Sequence, residues 1–165
     1  MEKLQNAVDL KQVKQKITKI EKKRIEKIIA KKPTKEEVSN FNKNVASQSR
    51  KLRGTKLKHY KKTLSLTKEQ KEIIIGTLLG DACIPNKRAP NHNYYIKFEQ
   101  KYTQLEYINH LYHVFKDFIG TGPTLRLIYN TYHTDYGVSC VFSSYSHPAF
   151  DFFSKCFYKI NQKGR

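Results

Sequence analysis

The stretch "EIIIGTLLGDAC", residues 72–83, is apolar within a lysine-rich chain, sets Gly76 and Gly80 four residues apart, and follows them with an acid, Asp81. The run predicts a helix capped by Thr67 and continuing to about Gly80. A glycine inside a helix costs about 1 kcal/mol relative to alanine, so the pair costs on the order of 2 kcal/mol unless something compensates. Residues at i and i+4 share a face. The glycines therefore either lie over the chain's own sheet or form a seam where a second helix approaches backbone to backbone. Asp81 sharpens the choice, because a helix C-terminus is already negative and disfavours an acid. A cation reverses that penalty. Two such helices, parallel about a two-fold axis, would bring together two Asp81 carboxylates and the Gly80 carbonyl, hard oxygen donors suited to Mg²⁺. Paired carboxylates sharing divalent metals are the arrangement for in-line phosphodiester cleavage. A P-loop reading of "GTLLGDA" fails, since no Lys-Ser/Thr follows the second glycine.

The 165 residues carry a net charge of +18, and the excess is uneven: residues 1–62 hold 20 Lys/Arg against 6 Asp/Glu, residues 63–165 hold 12 against 8. Such a field attracts polyanions, with nucleic acid the commonest partner and acidic membrane the competitor. A hydrophobic content of 38%, with 11 Tyr and 9 Phe, is enough for a folded core. Cys83, Cys140 and Cys156 are far apart, without metal-ligand spacing, and read as buried thiols in a reducing compartment. The longest apolar run is far below the roughly 20 residues that span a bilayer. No membrane-spanning segment is expected, and nothing at the N-terminus resembles a signal or transit peptide.

Residues 1–32 space Leu4, Val8, Val13, Ile17, Ile20 and Ile25 as a basic amphipathic helix broken by Pro33. Thr34 with Glu37 forms a capping-box signature for a second helix to about Arg53, ended by Gly54. Residues 54–63 then read as a basic linker. This first third, residues 1–63, is expected to be a helical or partly disordered extension that is either solvated or grips nucleic acid.

From Leu64 onward, helix to about Gly80 is followed by strand candidates Cys83–Asn86 and Asn93–Lys101, helix Tyr102–Ile119, strands Leu125–Tyr129 and Gly137–Ser143, and helix Pro148–Ile160. The order αββαββα predicts an α+β fold, one antiparallel four-stranded sheet with helices on one face. Because strand side chains alternate, Tyr94, Ile96 and Phe98 face the helices and Asn93, Tyr95, Lys97 and Glu99 the bare side. Arg126, Ile128 and Asn130, and Ser139, Val141 and Ser143, form the corresponding outer rows of the second pair. His110 and His113 read as surface or packing residues, His147 as a helix-start residue.

Three blocks in this order, "LTKEQKEIIIGTLLGDACI" (66–84), "YIKFEQKYTQLEYINHLYHVF" (95–115) and "SSYSHPAFDFFSKCFY" (143–158), resemble the LAGLIDADG homing endonucleases of organellar introns. The resemblance covers about residues 64–165 and implies that family's αββαββα fold. It implies that Asp81 is the catalytic, metal-binding acid, that Gly80 offers its carbonyl to Mg²⁺ or a similar cation such as Mn²⁺, and that Gly76 and Gly80, with Thr77, form the helix seam. It also implies a saddle on double-stranded DNA made by Lys87, Arg88, Asn93, Tyr95, Lys97, Glu99, Arg126, Asn130 and Ser139. Lys163 falls near where members carry a basic residue beside the active site; a frayed surface lysine is the plainer reading. The motif departs from the nonamer at Leu79, where its first Asp stands, and at Ala82, where it ends in Gly. Many relatives carry two repeats, so a single motif implies a homodimer or a second half-domain. Three functions remain on this fold: an endonuclease, a maturase binding intron RNA, or a non-cleaving half-domain. The Lys-, Ile-, Asn- and Tyr-rich composition fits an A/T-rich organellar genome, mitochondrion or chloroplast.

Overall fold

Helix formation at the centre of the chain begins with a reciprocal cap. In the computed structural model, the Thr67 hydroxyl accepts from the Gln70 amide at 3.1 Å while the Gln70 side chain accepts from the Thr67 amide at 3.0 Å. The two orphan donors of the first turn are thereby satisfied. The helix they start, Lys68–Leu78, ends in a turn in which the Asp81 amide donates to the Thr77 carbonyl at 2.8 Å. Gly80 thus lies just beyond the helix.

The structure describes residues 23, 26, 31–50, 52–85, 93–129 and 135–158. In chain order these form α1 (Lys35–Ser47), α2 (Gly54–Lys62), α3 (Lys68–Leu78), β1 (Ala82–Cys83), β2 (Lys97–Lys101), α4 (Leu105–Phe115), β3 (Thr124–Tyr129), β4 (Tyr136–Ser143) and α5 (Asp151–Phe157). Short 3₁₀ turns lead into and out of α4, at Tyr102–Gln104 and Lys116–Phe118, and another, Pro148–Phe150, precedes α5. From α3 onward the order is αββαββα. The strands make one antiparallel sheet in the order β1-β2-β4-β3.

Alternation decides the layers. Ile96, Phe98, Leu125, Val138, Cys140 and Phe142 are buried on one sheet face against Ile74 of α3, Ile108, Leu111 and Phe115 of α4, and Phe150 and Phe153 at α5. Phe98 is the pivot, stacked on Phe142 at 4.8 Å between ring centres and tilted against Phe115 at 5.3 Å. Such pairs add to the apolar area removed from water. His147 does start the turn before α5: its Nδ1 accepts from the Ala149 amide at 3.2 Å.

Several sequence expectations change. The helix capped by Thr34 and Glu37 stops at Ser47 rather than near Arg53. Residues 54–62 are helical, not a linker. Gly54, at φ +56°, follows extended Arg53 and opens a helix instead of closing one, and Leu57 and Tyr60 turn its half-buried side inward. The Tyr60 hydroxyl donates to the Asp117 carbonyl at 3.0 Å, and the Lys61 carbonyl meets His147 Nε2 at 2.9 Å. Residues 93–96 do not join the sheet's ladder; they bond instead to Ser144, His147 and Asp151. Of the cysteines only Cys140 is buried, its thiol pushed up to about 12 chiefly by burial; Cys83 and Cys156 are exposed.

The edge strand β3 is closed by α1. Asn42 donates to the Leu125 carbonyl at 2.7 Å and accepts from the Leu125 amide at 2.8 Å, pairing the outer backbone groups of that residue as another strand would. Replacing Asn42 by Ala removes two partly buried hydrogen bonds, each worth about 0.5–1.5 kcal/mol net. Urea unfolding should show Asn42→Ala less stable by about 1–3 kcal/mol with an unchanged slope.

Candidate active site

The site is built from the end of α3. One side of this helix is core: Gln70, Ile74 and Thr77 are buried, and the Gln70 side chain donates to the Val114 carbonyl of α4 at 2.8 Å. The other side is open. Gly76 and Gly80 are exposed, and a Cβ built on either meets nothing within 4 Å in this chain. The glycines therefore do not serve close packing against the chain's own sheet. On the same side stand two apolar residues that sequence reading left out, Ile75 at 46% exposure and Leu79 at 78%. An apolar, glycine-floored strip on a helix is a surface shaped for another helix.

Thr77 does not belong to that strip. It is 7% exposed and its hydroxyl donates back to the Ile73 carbonyl at 2.8 Å, because one residue of helix rotation past Gly76 carries it onto the core side. The expected seam is thus Ile75, Gly76, Leu79 and Gly80 without Thr77.

Asp81 is exposed at the end of the strip. Tyr107, on α4, lies close enough to feel it: burial first, then the Asp81 charge and its hydrogen-bonding pull, push the Tyr107 phenol above its ordinary value. Tyr107 was missed in the sequence because it lies outside the apolar stripe that marks α4. Among the described residues no three His, Cys, Asp or Glu side chains gather as a metal cage. Asp81 and the Gly80 carbonyl are therefore at most part of a coordination set.

On the bare sheet face, register brings Lys97, Glu99, Arg126 and Ser139 together across β2, β4 and β3. Glu99 is their hub. Its two carboxylate oxygens take Lys97 Nζ at 2.6 Å and Arg126 at 2.5 Å, and the Ser139 hydroxyl donates to it at 2.7 Å. Burial alone would raise the Glu99 carboxyl, but the hydrogen bonds from Lys97 and Ser139 and the charges of Lys97 and Arg126 outweigh it and hold the group below its usual range. Ser139, expected as an exposed contact, is instead 4% exposed, its hydroxyl given to Glu99. Asn93 and Tyr95 are half-buried in the segment before β2. Lys87, Arg88, Asn130 and Lys163 lie outside the described residues, as does the predicted helix over residues 1–32 apart from residues 23, 26, 31 and 32.

A relative named Probable intron-encoded endonuclease 1, from Wickerhamomyces canadensis, is 39% identical over 70 residues, 42% of this chain and 29% of that protein. A solved structure titled "The homing endonuclease I-WcaI bound to its DNA recognition sequence" is similar at a TM-score of 0.59 and 30% identity, over 67% of this chain and 47% of that one. The chain spans less than half the length of either. Residues 71–164, which run from within α3 past α5, match the family described as the LAGLIDADG DNA endonuclease family. That match takes in more than half of the 165 residues, and the chain belongs to the LAGLIDADG DNA endonuclease family.

Proposed function

We propose that the chain supplies one half of a site-specific DNA endonuclease that hydrolyses phosphodiesters of double-stranded DNA. The observation that carries this reading is the open glycine strip of α3 ending in exposed Asp81: the helix has a finished core side and an unfilled partner side. A second motif, from a homodimer or from another LAGLIDADG half-domain, fills it and brings a second acid to the first.

Asp81 is the catalytic acid, and it would hold the divalent cation together with the Gly80 carbonyl. The donors fit: both are hard oxygens at a helix end whose dipole favours positive charge. When bound, Mg²⁺ or Mn²⁺ supplies neutralisation of the scissile phosphate and an activated water. Tyr107 stands beside the Asp81 carboxylate. Lys163 would stabilise the leaving group. The sheet face, with Lys97 and Arg126, would enter the major groove, which is wide enough for a β-ribbon; Asn93 and Tyr95, and from the sequence Lys87, Arg88 and Asn130, are the further DNA contacts proposed. Residues 64–165 carry this unit, and residues 1–63 are its basic extension, of which α1 and α2 pack onto it. The likeness to a relative named as intron-encoded, together with the composition, supports an intron-borne gene in a mitochondrion or chloroplast.

The test is incubation of the protein with a randomised duplex pool and Mg²⁺, sequencing the cut ends. A defined cut site that disappears with a chelator is expected. Tight binding of a structured intron RNA with no Mg²⁺-dependent cutting of any duplex would replace this reading by a maturase on the same fold.

A further inference from the structure

Two cations of the bare sheet face, Lys97 and Arg126, are held in ion pairs. A basic surface that only gathers phosphate leaves its lysines and arginines free to swing. Here Lys97 and Arg126 converge from β2 and β3 on the two oxygens of one acid that bridges across β4, and a buried hydroxyl anchors that acid from below. The Arg126 side chain is half exposed, so it keeps a free side toward solvent while its other side is fixed. Reading a guanine edge requires an arginine presented in one orientation, whereas a phosphate accepts it from many.

We propose that Glu99 is a specificity-determining positioning residue. It holds Lys97 and Arg126 as oriented readers of base edges and withholds their charge from indiscriminate phosphate binding. The inference rests on the DNA reading above. Glu99 lowers the affinity of the face for arbitrary duplex and raises its discrimination, a trade in which an attractive contact inside the protein acts as a penalty against wrong partners.

The nearly isosteric Glu99→Gln removes the charge and leaves the shape. Its affinity for a mixed-sequence duplex of about 30 base pairs should rise severalfold at low salt, with the log–log salt slope steeper by about 1 to 2 as the freed cations take up phosphates. In selection from a randomised duplex pool the preference of the wild-type protein should fall by about tenfold or more at the positions that Arg126 reads. Ser139→Ala, which removes only the anchor, should move both readouts in the same direction by less. It keeps the question answerable if the first variant folds poorly. Wild type that binds duplex and selects a sequence, with variants showing the same slope and the same selected sequence, overturns the role of Glu99 and leaves the DNA reading standing. Wild type that binds duplex without any sequence preference also overturns it. A wild-type protein with no affinity for duplex overturns the DNA reading, and this inference with it.

Discussion

Asp81→Asn is expected to abolish Mg²⁺-dependent strand cleavage, slowing it by about 10³-fold or more, while duplex affinity stays within about twofold. The size follows from the several kcal/mol that metal-assisted charge stabilisation contributes to hydrolysis, each 1.36 kcal/mol being tenfold in rate. The selectivity follows from place. Asp81 stands at the end of α3, exposed, outside the charged cluster of the sheet face. An acid at a helix C-terminus opposes the dipole by a few tenths to about 1 kcal/mol, so its neutral isostere should melt at the same temperature or slightly higher. Single-turnover cleavage, duplex titration and a thermal melt measure the three effects separately. Lost binding in step with lost cutting would make Asp81 a structural residue instead.

The second large effect is at the seam, and its sign depends on what is measured. A side chain at Gly76 meets nothing within 4 Å, and this glycine carries no left-handed backbone angle that a side chain would strain. Gly76→Ala should therefore stabilise the isolated chain, by up to about 1 kcal/mol from helix propensity alone. Gly76→Leu should leave the isolated chain folded yet lower assembly of two motifs by about tenfold or more, because interior-like helix contacts at a small-residue seam do not admit a bulky side chain without about 1–3 kcal/mol of overpacking. Thermal melts of the dilute protein and sedimentation of the concentrated protein give the two signs. A Gly76→Leu protein that associates as well as wild type would mean the strip is ordinary surface.

Much of this was legible from residue patterns because the relevant signals are local. Thr34 with Glu37, and Thr67 ahead of the apolar run, mark helix starts through bonds three residues apart. The alternation of Ile96, Lys97, Phe98 and Glu99 separates core from bare face across the start of β2. What stayed hidden depends on partners distant in the chain. Glu99 reads as one more polar strand residue until register sets it diagonally from Arg126 and Ser139. Asn42 has no reason to matter until Leu125, 83 residues away, presents its unpaired amide and carbonyl. Thr77 was misplaced onto the seam because a helix turns 100° per residue and the adjacent position already faces inward. Gly54 was read as a stop because glycine ends helices more often than it begins them.

The central claim is that one copy of the α3 strip is half of a site. Its most direct test is the number of chains on a duplex at the moment of cutting, measured by sedimentation of the protein on its selected target and matched to cleavage of each strand. Two motif-bearing chains per duplex, with cleavage rising as the square of protein concentration in the dilute range, are predicted. A single chain that cuts both strands as a monomer would contradict the account.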